Sequence, residues 1–326
     1  MTHQDLVRQL DALLRETYAL WDQGWVTFNW RNYTYDHVQR VRGLAMTLAA
    51  QEGGDLIVTE LGALLHDLTK PYDGEYATGP DGKRLVDERG FWYNEPRLPA
   101  RHNAVTRLYD DLGLTGRLHN ESGAELARRL LDELGVPPEV VARTAAVIAD
   151  HLIPPAEASM EARCLYDADT IDANIGLPAF VRNIYINLHF YDQRRGAAEP
   201  PIAETLASDP LRFLGPYIRE NLPRWARGKR QDFVPKLTTA AGREVAIARL
   251  DRLDALFGEL GADLETLSPG VDHSRIDLVL HYMRHTDDPR VWDETEHLHR
   301  AWQLASAPGP SLQLLAALRA EMLGEI

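Results

Sequence analysis

The chain has 326 residues, 44% of them hydrophobic and 26% charged, which suits a globular protein with one large domain or two ordinary ones. Its formal net charge of −14 argues against a broad nucleic-acid interface, because an acidic surface repels polyanions, and no stretch reaches the roughly 18 uncharged apolar residues of a membrane span. Cys164 is the only cysteine, so an internal disulfide is impossible and a reducing cytoplasm is the expected compartment.

In chain order, Leu6, Leu10, Leu13 and Leu14 share one helical face. With Asp5, Asp11 and Glu16 among them, they form an amphipathic helix and not a signal peptide. Val38, Val41, Leu44, Ala45 and Leu48 form a second stripe, ended by Gly53-Gly54. A third helix runs from Leu56 through Leu61, Leu64 and Leu65. Leu126, Leu130, Leu131 and Leu134 make a stripe closed by Gly135. Pro137-Pro138 then opens a helix carrying Val140, Val141, Val147 and Ile148, and Pro154-Pro155 ends it. Further helices are predicted over 245–260 and 312–323. Period-two alternation is nearly absent, so the expected fold is all-α.

Two stretches break this pattern. Residues 71–118 are rich in Pro, Gly, Asp and aromatics and predict a long insertion with little periodicity in its first half. Residues 196–210 (GAAEPPIAETLASDP) predict a linker. The expected organisation is therefore a helical domain over 1–195, interrupted by the insertion, and a helical extension over 196–326.

The chemistry-bearing residues fall in TYDHVQRV, ALLHDLTK, RLHNESGAELARRLL, VIADHL and YDADTID. His37 shares a face with Val41 and Leu44, and His66-Asp67 closes the helix begun at Leu56. His151 follows Val147 by one turn, and Asp169 follows Leu165 by one turn. Each alone reads as a hydrogen-bonded core residue. Together, His37, His66, Asp67, His119, His151 and Asp169 turn polar ligands toward a core from several helices. Buried imidazoles and carboxylates are costly unless paired or metal-bound, and helical bundles build di-metal sites in this way.

The order H…HD…H…H…D resembles the HD-domain superfamily of metal-dependent phosphohydrolases. RNYTYDHVQRVRGLAMTLAAQEGGD followed by ALLHDLTK is similar to the opening of such domains, and DADTIDANIG, leading on to Arg182, is similar to their fifth motif. The resemblance covers roughly 25–195. It implies that His37, His66, Asp67 and Asp169 hold one metal, and that His119 and His151 join a bridging Asp67 at a second. Thr69 stands where the family often has Gly, and Asp67 and His119 are unusually far apart. His102 lies in the same insertion, but the SGAELARRLL after His119 favours His119.

The implied activity is hydrolysis of a small phosphoester, nucleotide-like, by a metal-bound water whose pKa is lowered toward 7. One or two divalent ions among Fe, Mn, Co, Ni, Zn and Mg suit such ligands. Lys70 is a candidate for substrate phosphate or for a solvated helix end, and Arg182 is a candidate phosphate ligand or an ion-pair partner of Asp172. Asp150 is a candidate general base or a carboxylate that orients a metal ligand, against an ordinary surface acid. Arg97, Arg101, His102 and Arg107, with Phe91, Trp92 and Tyr93, give the insertion a composition that closes over an anionic ring or packs onto the domain. His281 and His285 have helical metal-pair spacing, but without a carboxylate pattern they read as surface residues, as do His273, His297 and His299. Two other activities stay open on the same ligands: a mixed-valence di-iron oxygenase and a non-catalytic nucleotide-binding sensor. The expected partner is a small phosphorylated substrate, with no nucleic acid and no membrane.

Overall fold

In the computed structural model, the described residues are 2–21, 24–25, 28–81, 83–88, 94–194, 200–266, 274–284, 290–306 and 309–326. The fold is all-α. The helices are α1 His3–Tyr18, α2 Trp30–Glu52, α3 Leu56–Leu65, α4 Ala104–Asp111, α5 His119–Glu133, α6 Pro138–Asp150, α7 Met160–Asn174 and α8 Leu177–Arg194. They continue as α9 Ile202–Ser208, α10 Pro210–Pro216, α11 Leu222–Asp232, α12 Ala240–Thr266, α13 Arg275–Arg284, α14 Val291–Leu304 and α15 Gly309–Met322. Four two-residue strands accompany them: β1 Gly24–Trp25, β2 Phe28–Asn29, β3 Glu75–Tyr76 and β4 Asn94–Glu95.

The chain divides into two compact units, Met1–Trp25 with Asn29–Tyr166, and Val26–Phe28 with Asp167–Ile326. This division falls inside α7, upstream of the 195/196 boundary expected from the Pro-rich linker. A linker composition marks where chain is irregular, whereas a compact unit is set by which helices share a core.

In the first unit, local sequence explains the helix ends. The Thr2 hydroxyl accepts from the Asp5 amide while the Asp5 carboxylate accepts from the Thr2 amide, closing a capping box on α1. The Asp55 carboxylate accepts from the amides of Ile57 and Val58 and starts α3. Gly135, with φ of +73°, ends α5, and the Val136 amide donates to the Leu131 carbonyl. The apolar stripes then meet. Leu6, Leu10, Leu14 and Tyr18 of α1 pack in one cluster with Leu61, Leu64 and Leu65 of α3 and with Leu126, Leu130 and Leu131 of α5. Each such Leu contributes about 1.5–3 kcal/mol on burial.

The stretch 71–118 is more ordered than its composition predicts. A 3₁₀ turn, Lys70–Asp73, leads into β3, which pairs antiparallel with β4 in the register Glu75↔Glu95. Gly74 joins the two at φ +64°, and a Cβ there would lie 2.0 Å from the Glu95 carbonyl oxygen, so no other residue fits. The second half forms α4, started by an Asn103–Thr106 capping box, with Val105, Thr106 and Tyr109 buried. Tyr72 and Tyr109 stack with centroids 3.7 Å apart, Trp21 packs edge-on to Tyr72, and the Trp21 indole donates to the Arg97 carbonyl. The ends of the insertion are thus part of the core. Phe91, Trp92 and Tyr93 lie outside the described residues.

In the second unit, α12 supplies buried Leu250, Leu253, Phe257 and Leu260. The fully buried Glu321 carboxylate accepts from the Leu177 amide and pairs with Arg252, close to the buried Arg249 guanidinium. A π-helical turn, Tyr217–Asn221, lies between α10 and α11.

Candidate metal centre

Four histidines surround the Asp67 carboxylate. His37 comes from α2, His66 is the residue that caps α3, His119 opens α5 and His151 caps α6. All five side chains are buried. Their ligand atoms form two groups that share Asp67, namely His37, His66 and Asp67, and Asp67, His119 and His151. The two carboxylate oxygens divide the work. Oδ2 lies 3.6 Å from Nε2 of both His37 and His66. Oδ1 lies 3.5 Å from Nε2 of His119 and 4.0 Å from Nε2 of His151.

The far sides of the rings determine which nitrogen carries the proton. His66 Nδ1 is 2.7 Å from the Ala63 carbonyl, and His151 Nδ1 is 2.7 Å from the Ile148 carbonyl. A carbonyl only accepts, so both Nδ1 atoms donate. His119 Nδ1 lies 2.6 Å from Asp73 Oδ2, the carboxylate–histidine pairing that orients metal-ligating imidazoles. In the neutral rings, each Nε2 is therefore a lone pair turned toward a carboxylate that is itself only an acceptor. His119 Nε2 and Asp67 Oδ2 are buried without a hydrogen-bond partner. Acceptor facing acceptor in a dry site is stabilised by a cation between them, so the residues present fit divalent metal.

Burial acts to raise the Asp67 carboxyl pKa. The charge of Lys70 leads the interactions that overcome burial and hold it well below the usual carboxylate range. Asp67 is thus anionic and ready to ligate. The Tyr18 hydroxyl, kept protonated by burial and by Asp67, donates at 3.0 Å to the Asp67 backbone carbonyl. Thr69 Oγ1 donates to the His119 carbonyl at 3.0 Å and lies 2.8 Å from Ser122 Oγ. Where the resemblance leads one to expect Gly, Thr69 ties the His-Asp turn to the start of α5. Gly123 packs against this turn, where a Cβ would meet the His66 carbonyl at 3.4 Å and Thr69 Oγ1 at 3.5 Å, both ordinary van der Waals separations.

The other candidates have varied surroundings. Lys70 Nζ is 3.0 Å from Asp67 Oδ2, so it faces the cluster and is not a solvated helix end. Asp150, at the end of α6, is half-buried and outside both ligand groups; burial first, then Glu157, pushes its pKa up. Arg97 is held by its backbone, its amide donating to the Tyr72 carbonyl, and Arg101 is exposed. His102 lies 3.6 Å from Asp110 and not in the cluster. Asp169 sits on the part of α7 that belongs to the second unit, and Arg182, on α8 of the same unit, donates from Nη1 to the Ala173 carbonyl. His281 pairs with Glu294, His297 is exposed and His299 half-buried, while His273 and His285 lie outside the described residues. Sequence reasoning missed Asp73, Tyr18 and the Thr69–Ser122 link. The available signals were an acid one turn after Lys70 and a polar-tipped aromatic one turn after Leu14 on the apolar face of α1.

Among the described residues no helix is long and apolar enough to cross a membrane. No curated protein matches the chain. Among solved structures, the chain is similar to a predicted HD superfamily hydrolase from an uncultured Thermotogales bacterium, at 24% identity over 69% of this chain and 99% of that one, with a TM-score of 0.38. It is also similar to Bacillus subtilis YpgQ in complex with ADP, at 18% identity over 83% of this chain and 100% of that one, with a TM-score of 0.41. The HD domain family matches residues 34–174, and this segment, which holds all four clustered histidines and Asp67, is an HD domain.

Proposed function

We propose that the protein hydrolyses a small, nucleotide-like phosphoester at a two-metal centre. The observation that supports this most directly is the split of the Asp67 carboxylate, with one oxygen toward His37 and His66 and the other toward His119 and His151. Asp67 would bridge, with His37 and His66 completing one site and His119 and His151 the other. Bound divalent ions supply a water of lowered pKa and offset charge on the phosphoryl oxygens. Asp73 holds the His119 ring with its Nε2 toward Asp67, and the Ala63 and Ile148 carbonyls do the same for His66 and His151. Lys70 keeps Asp67 ionised while metal is absent and stands close enough to turn toward a substrate oxygen. The insertion arginines Arg97 and Arg101 are the proposed contacts for the rest of the substrate. Asp150 is proposed as a carboxylate that assists proton transfer.

The test is turnover of a phosphomonoester and phosphodiester panel, headed by nucleotides, with Mn²⁺, Co²⁺, Ni²⁺, Mg²⁺, Zn²⁺ or Fe²⁺, beside metal analysis of the purified protein. Hydrolysis that vanishes in Asp67→Ala supports the reading. Two irons per chain with O₂ consumption and no hydrolysis would overturn it in favour of an oxygenase.

A further inference from the structure

The second unit holds a cationic, aromatic cavity that nothing above uses. It encloses about 450 Å³, within the size range of small-molecule sites, and its walls come from α8 and α11 with the flanking Asn221 and Phe233. In a chain of net charge −14, α11 stands apart, carrying Arg224, Arg227, Lys229 and Arg230 in its 11 residues. Arg230 is occupied by Asp251 and Asp254. Arg224 and Lys229 line the cavity and form no salt bridge to a described residue; one acid, Asp232, lies among the lining residues.

Lys229 is positioned for an anion. Its Nζ donates at 2.9 Å to the Asn174 side-chain carbonyl, a neutral acceptor, and lies 4.5 Å from the Phe233 ring centre and 5.8 Å from that of Trp225. Burial, and then the like charge of Arg182, push its pKa down to about 8 against the pull of Asp232, which is the signature of an ammonium short of negative charge. The neighbouring surfaces suit a flat, polar-edged ring. Trp225 is half-buried in the wall. The Asn187 amide donates to both the carbonyl and the side-chain oxygen of Asn183, each at 2.8 Å, which fixes the pair of amides one turn apart on α8. Such a pair presents both a donor and an acceptor to a ligand.

We infer that this cavity binds a small phosphorylated molecule bearing an aromatic ring, its phosphate at Lys229 and Arg224 and its ring against Trp225. Aromatic stacking and a charge-assisted phosphate contact each give several-fold to hundred-fold in affinity, so the intact ligand should bind far better than either part. This does not depend on the metal centre. The experiment is calorimetric titration of the full chain, stripped of metal with chelator, using a nucleoside monophosphate, its nucleoside and inorganic phosphate as probes. The monophosphate should bind at least tenfold more tightly than either fragment. Lys229→Gln and Trp225→Leu should each weaken it by tenfold or more, with unchanged circular dichroism. Arg224 is exposed, so Arg224→Gln should fold regardless and should weaken binding severalfold. Equal affinity for inorganic phosphate would overturn the aromatic half of the assignment. Monophosphate binding unaltered in the Lys229 and Arg224 variants, or absent from the wild-type chain, would overturn the site.

Discussion

Replacing Asp73 by Ala should weaken one metal site and spare the other. The Asp73–His119 contact is 2.6 Å long, and the two side chains are only 17% and 9% exposed, so water does little to replace it. A hydrogen bond to a charged group in such a place contributes about 1.5–3 kcal/mol, which converts to roughly tenfold to hundredfold in an equilibrium constant. Mutations of carboxylates that orient metal-ligating histidines change metal affinity over the same span. Without Asp73, the His119 ring loses both its preferred tautomer and its orientation toward Asp67. His66 and His151 keep their backbone carbonyl partners, and nothing at His37 changes. The assay is competition with a chelator of known affinity, followed by metal analysis, which resolves a tight and a weak ion. Asp73→Ala should lower the affinity of one ion by roughly tenfold to hundredfold and leave the other unchanged. Asp73→Asn, which retains an acceptor, should fall between. Equal weakening of both ions, or no weakening, would refute the claim that Asp73 acts through His119.

Asp67→Ala should lose both ions, because both histidine pairs face that one carboxylate, whereas His119→Ala should lose one; metal content per chain distinguishes these outcomes. Gly62→Ala places a Cβ 2.8 Å from Val147 Cγ1 where α3 meets α6, and overpacking of about 1–3 kcal/mol should outweigh the gain in helix propensity of about 1 kcal/mol, lowering Tm. Tyr18→Phe leaves the buried Asp67 carbonyl without its 3.0 Å donor and should destabilise by about 1–3 kcal/mol in urea unfolding, with metal stoichiometry retained. At Glu60, burial opposes ionisation but Arg42 and His3 prevail, so the folded pKa lies below the unfolded value of 4.5. The resulting stability is present above pH 4.5 and lost as pH falls through the folded value, and Glu60→Gln should flatten that part of the acid unfolding curve, whereas an unchanged curve would remove Glu60 from the account.

Local periodicity made the helices of the first unit legible. The Leu6–Leu10–Leu14 and Leu126–Leu130 stripes, the Asp55 cap and Gly135 all act within a turn or two, and a single sequence displays interactions of that range directly. The clustered ligands were legible for a related reason: His37, His66, Asp67 and His151 each interrupt or end an apolar face, where burial without a partner is costly. The sequence of the insertion shows little periodicity in its first half, and the order found there and in AVTRLYDD depends on distant partners: β3 pairs with β4, and the buried face of α4 depends on Tyr72 being there to receive Tyr109. Which oxygen of Asp67 faces which histidines, the pairing of Asp73 with His119 across 46 positions and of Tyr18 with Asp67 across 49, and the division at Tyr166–Asp167 were decided only in three dimensions. These contacts join residues far apart along the chain, and their partners are selected by the packing of whole helices, so no window of sequence contains both halves of the interaction.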